Sequence, residues 1–96
     1  MEYKIKSIKH SGRKELRGTD RTDGRYQERV GRTVNLDNIS DYKIGNTFWI
    51  NYLRLADGSD YSNMCLRCSR LVKITDTGDT VMVETNNTIY EFEKCK

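Results

Sequence analysis

The chain has 96 residues, of which 35% are hydrophobic and 32% charged, with a formal net charge of +3, three Cys, one His and no Pro. That supply of apolar side chains suits one domain with a thin core, and apolar runs as short as Phe48 to Ile50 exclude a membrane-spanning helix. Lys4, Lys6 and Lys9 stand where a secretory leader would be hydrophobic, so a cytoplasmic protein without a disulfide framework is expected.

In chain order, Tyr3 to Ile8 predicts a short strand with Tyr3 and Ile5 on one side. From His10 to Arg29 only Leu16 and Tyr26 are hydrophobic, too few to offset the entropy of ordering the stretch around a core of its own. Arg13, Arg17, Arg21, Arg25 and Arg29 recur every four residues, which on a helix would draw a drifting cationic stripe. Gly12, Gly18 and Gly24 recur every six and oppose a helix. Residues 10–29 are therefore expected to form a mobile Arg-rich loop or a long irregular hairpin, inserted after the first strand. Tyr26, Val30, Val34 and Leu36 share a parity that predicts a half-buried strand from Tyr26 onward, with Gly31 as a bulge or bend. Leu36, Ile39 and Tyr42 allow one helical turn.

Thr47 to Leu55 carries apolar groups on both faces, so it is either a central strand or one that covers a second surface. Asp57-Gly58 marks a turn. Met64, Leu66, Cys68, Val72 and Ile74 form one row of like parity. Turns at Thr77-Gly78-Asp79 and Asn86-Asn87 set off Val81 with Val83 and then Ile89 to Phe92. The fold class is all-β: a small antiparallel barrel or sandwich of five to six strands, with residues 1–96 in a single domain.

Residues 1–34 carry a net charge of +5 and the remainder −2, so the chain has a basic front third. The candidate partner-binding residues are Arg13, Lys14, Arg17, Arg21, Arg25, Tyr26, Arg29 and Arg32, with Trp49 as an exposed aromatic. Arginine presents a planar donor fork to phosphate or carboxylate, and Tyr26 or Trp49 could stack on a base or ring. Glu15, Asp20, Asp23 and Glu28 lie among these arginines. Intermixed acids weaken affinity for a polyanion but help select a patterned surface, which favours a protein partner over nucleic acid. A direct nucleic-acid-binding barrel is the alternative, and sequestration of a small nucleotide by arginines on its phosphates is a third reading. Replacing Arg17, Arg21 and Arg25 with Glu is expected to leave the fold intact and abolish binding. Phe48, Trp49, Tyr52 and Leu55 also leave apolar surface that a second copy could cover.

Chemistry beyond binding finds few groups. Cys65 and Cys68 form a C-x-x-C pair, with Cys95 and His10 as further conceivable zinc ligands. Residues three apart in a strand face opposite sides, so Cys68 is expected inside, Cys65 outside, and no shared metal between them. His10 is the only histidine and adjoins the polar stretch. Asp57 with Asp60, or Glu91 with Glu93, read as turn and edge residues rather than acid-base pairs. The glycines lack the spacing of a phosphate loop. A non-enzymatic protein without a cofactor is expected.

Two stretches carry a resemblance: Arg25 to Leu36, RYQERVGRTVNL, and Cys68 to Phe92, CSRLVKITDTGDTVMVETNNTIYEF. They are similar to the leading strand and the closing hairpins of a group of small proteins encoded by bacteriophages and mobile elements of Gram-positive and gut bacteria. The resemblance covers about half the chain and implies an SH3-like barrel. It also implies a phage-derived protein that binds and inhibits or modulates a bacterial host protein, such as a nucleic-acid-directed defence effector, in the manner of anti-CRISPR proteins. No functional residue carries over from the group.

Overall fold

The computed structural model describes residues 1–12, 14–36 and 39–95, and for Ser40 the backbone alone. The candidate Arg13 lies outside the described residues. Six strands are found among them: β1 (Glu2–His10), β2 (Thr33–Asn35), β3 (Thr47–Arg54), β4 (Cys65–Asp76), β5 (Thr80–Thr85) and β6 (Thr88–Lys94). Each pairs antiparallel with the next, and β6 returns to β1, so the sheet closes into a barrel in sequence order. Closure leaves no open sheet edge for another chain to extend.

Alternation explains most of the core. Val34, Phe48, Ile50, Tyr52, Val81, Val83, Tyr90 and Phe92 point inward at every second position of their strands and are buried. Phe48 sits at the centre, with ring centroids 5.7 Å from Tyr42 and 6.4 Å from Phe92. In β1 the pairing with β6 slips between Ile5 and Ser7. The extra residue, Lys6, reverses the parity, so Ile8 joins Tyr3 and Ile5 inside the barrel.

β4 is the longest strand at twelve residues. Its first half pairs with β3 and its second half with β5, and the register slips once against each neighbour. Such bulges bend and coil a strand, which a barrel this small requires. They also overturn the expected apolar row. Leu71 is buried at 3% exposure, while Val72 at 44% and Met64 at 46% face outward.

The half-buried strand expected from Tyr26 is also corrected. Tyr26–Arg29 is a 3-10 turn, and strand structure covers only Thr33–Asn35. Gly31 is the reason: at φ +92 it takes a backbone region that side chains other than glycine rarely adopt. Its N–H donates to the Ile5 carbonyl, and the Ile5 N–H donates to the Arg32 carbonyl, so the chain joins β1 only from there. Tyr26 and Val30 still pack against the core, but from its margin.

Between β1 and the 3-10 turn the polar stretch doubles back on the barrel. Gly18 N–H donates to the His10 carbonyl at 3.0 Å, His10 N–H to Thr19 at 2.9 Å, and Arg21 N–H to Ile8 at 3.0 Å. Ser11 is buried, and its hydroxyl donates to Glu84 at 2.7 Å. Polar bonds to the barrel, rather than apolar burial, hold this segment.

Candidate partner-binding surface

The arginines of the front third do not form a common stripe. Arg17 makes a two-pronged pair with Glu84, at 2.8 and 2.7 Å, and also donates to the Ser11 hydroxyl at 3.2 Å. The Arg17 hydrogen bonds hold the Glu84 carboxyl down to about 2. Arg21 is 13% exposed and grips Asp23, and its other nitrogen donates to the Thr88 hydroxyl at 2.6 Å. That grip holds Asp23 down to about 2 as well. These two guanidinium groups pin the polar stretch to the β5–β6 hairpin.

Tyr26 organises two arginines. The Arg21 guanidinium lies 3.9 Å from its ring centroid and that of Arg29 lies 4.9 Å away, both within cation-π range. Its ring is therefore a support for cations and not the free stacking surface that the sequence suggested. Arg32 lies 5.2 Å from the Tyr52 centroid and 5.3 Å from that of Tyr61. Lys14 and Arg25 are exposed.

What the turn does present is Arg29. It lines an open groove of about 400 Å³ with Tyr26, the head of β4 (Leu66, Arg67, Cys68 and Ser69), and Thr88 and Tyr90 of β6. Among the described residues no carboxylate lines this groove. Trp49 is 48% exposed on the outer face of β3, and its register partner across the ladder is Arg67. Direct cross-strand neighbours lie within side-chain reach of each other. Arg67 therefore links Trp49 to the groove that holds Arg29, and exposed Arg70 follows on the same strand.

The groove's inner side is polar but protonated. Burial pushes the Cys68 thiol up to about 11, and its sulfur donates to the Tyr90 hydroxyl at 3.5 Å. Burial likewise raises Tyr90, opposed by nearby Arg29. In the core, outside the groove's lining, Tyr52, 3% exposed, is raised by burial against the pull of Arg29 and Arg32. At neutral pH these groups are donors, and the Cys68 thiol is a poor nucleophile. Cys65 is exposed on the strand's other side. Among the described residues no three His, Cys, Asp or Glu side chains are placed to share a metal ion, and no helix is long and apolar enough to cross a membrane.

Of the expected site residues, the structure gathers Tyr26 and Arg29 at the groove, with Arg21 beneath and Trp49 one neighbour away. Arg17 turns to Glu84, and Arg32 covers Tyr52 and Tyr61. Arg67 and Ser69 were missed, because they lie in the acidic two-thirds of the chain. Alternation marks Arg67 as outward, but only the β3–β4 register sets it opposite Trp49. Comparison with protein-family models, with curated proteins and with solved structures finds no match to this chain.

Proposed function

We propose that the chain is a non-enzymatic binding protein that docks on an acidic face of another protein through Trp49, Arg67 and Arg29. The observation that carries this reading is the register that sets half-exposed Trp49 directly opposite Arg67, which in turn lines a groove with Arg29. Trp, Tyr and Arg are the residue types that dominate binding energy at protein interfaces, where a rigid aromatic anchor combines with a desolvated charge. The groove's freedom from carboxylates gives the acidic partner its sign. The resemblance of Arg25–Leu36 and Cys68–Phe92 to phage and mobile-element proteins supports an SH3-like barrel of phage origin. In that setting the partner is a bacterial host protein that handles nucleic acid, and docking inhibits or modulates it in the host cytoplasm.

Direct binding of nucleic acid is the second reading, favoured by the same absence of carboxylates from the groove. Two features argue for the protein. Tyr26 is engaged by Arg21 and Arg29, which leaves Trp49, beside the groove, as the exposed stacking surface, whereas single-strand binding relies on successive aromatics. Arg17 and Arg21 are held by carboxylates of the chain itself.

The test is capture from a bacterial lysate with purified wild type, Trp49→Ala and Arg67→Glu, read by mass spectrometry and by nucleic-acid content. One protein retained by wild type, lost by both variants and insensitive to nuclease supports the reading. Capture of nucleic acid, with affinity falling steeply as salt rises, or a partner held equally by all three proteins, overturns it.

A further inference from the structure

We infer that the groove between the 3-10 turn and β4 is a subsite for a single oxyanion, a phosphoryl or carboxylate group, held by Arg29 and Arg67 with the Ser69 and Thr88 hydroxyls. The inference rests on the reading above, that this face meets the partner, and names the chemical group the partner inserts.

The lining is rich in donors. Arg29 and Arg67 can only donate. The Ser69 hydroxyl already accepts from the Asn87 amide at 2.8 Å, and the Thr88 hydroxyl from Arg21 at 2.6 Å, so each keeps its own proton to give. The two guanidinium groups come from different elements. Arg29 lies against the Tyr26 ring, and Arg67 stands in ladder register with Trp49. Two guanidinium forks lining one groove with hydroxyl donors and no carboxylate match the lone pairs of an oxyanion and repel a cation.

The test titrates the full chain with inorganic phosphate and, separately, with acetate at matched ionic strength. Fluorescence of Trp49, the only Trp, and the amide shifts of Arg67 and Ser69 report binding. Saturable one-to-one binding of either ion is expected, with tighter phosphate marking a phosphoryl source and tighter acetate a carboxylate source. Arg67→Gln and Arg29→Gln should each weaken it by about tenfold or more. Lys6→Gln, on β1 beside Glu91 and Glu93, should leave it unchanged. No saturable response to either ion, or a response that survives both Arg67→Gln and Arg29→Gln, overturns the subsite. Partner capture that Arg67→Glu abolishes while neither ion binds refutes the subsite and leaves the docking reading standing. Ion binding combined with capture indifferent to Arg67→Glu does the reverse.

Discussion

The arginines divide by what their guanidinium groups already hold. Arg17 and Arg21 are fastened to Glu84 and to Asp23 with Thr88, so replacing them with Glu should lower stability, where their spacing alone suggested no effect on the fold. Arg17→Ala should cost little, since the pair is half-exposed on the arginine side and screened. Arg21→Ala should cost more, about 1–3 kcal/mol, because it strips a largely buried donor from Thr88. Thermal melts of both variants check the order. The carboxylates add a pH signature. Asp23 and Glu84 are both lowered to about 2 from ordinary values of 3.8 and 4.5. Their contribution to stability is thus complete above the ordinary carboxylate range and is lost as pH falls toward 2. Melting temperatures measured from pH 7 down to about 2 should decline across that window. Glu84→Gln should flatten the decline, and an unchanged slope would remove Glu84 from the account. Sequence spacing made five arginines look equivalent. Ranking them required partners that lie 67 residues away for Arg17, which no local pattern reveals.

At the scale of elements, period-two alternation made the strands legible and β-bulges concealed their details. Tyr3 with Ile5, and Val81 with Val83, were readable as pairs on one face, whereas Thr47 to Leu55, apolar on both faces, left open which side is buried. Ile8 and Leu71 were not, because each follows an extra residue that reverses parity. A bulge leaves little trace in composition, since any side chain can occupy the looped-out position. The register of β4 can be checked by paired truncation: Leu71→Ala should cost about 2–5 kcal/mol, and Val72→Ala under about 1 kcal/mol. Equal losses in denaturant melts would place the bulge elsewhere. The polar stretch is held by one close approach as well as by its ion pairs. A Cβ at Gly12 would stand 2.6 Å from the Asn86 carbonyl oxygen, a backbone atom that cannot rotate aside. Gly12→Ala should therefore destabilise by about 1–3 kcal/mol, and a neutral effect would show that this segment is not seated against the β5–β6 turn.

For the whole molecule, the basic front third of the sequence does not become the basic face of the barrel. Part of its charge is neutralised by Glu84 and Asp23, while Arg67 and Arg70 from β4 extend what remains beside Trp49. On the other side, Lys6 lies between Glu91 and Glu93 on β6, and Arg54 pairs with Glu2. Charges of both signs thus mix around β1 and β6, whereas Arg67, Arg70 and Lys73 give β4 an excess of positive charge. The thin apolar supply suffices because it is concentrated in a closed barrel, with the polar stretch fastened outside by hydrogen bonds. The central claim is that binding resides at Trp49, Arg67 and Arg29 and not along Arg13 to Arg25. Its most direct test is the affinity of the captured partner for wild type, Arg67→Glu and Arg25→Glu, measured at one ionic strength on folded proteins. The account predicts a loss of about thirtyfold or more for Arg67→Glu, the scale of an interface anchor, and little change for Arg25→Glu. Full affinity in Arg67→Glu, with the loss confined to Arg25→Glu, would contradict it.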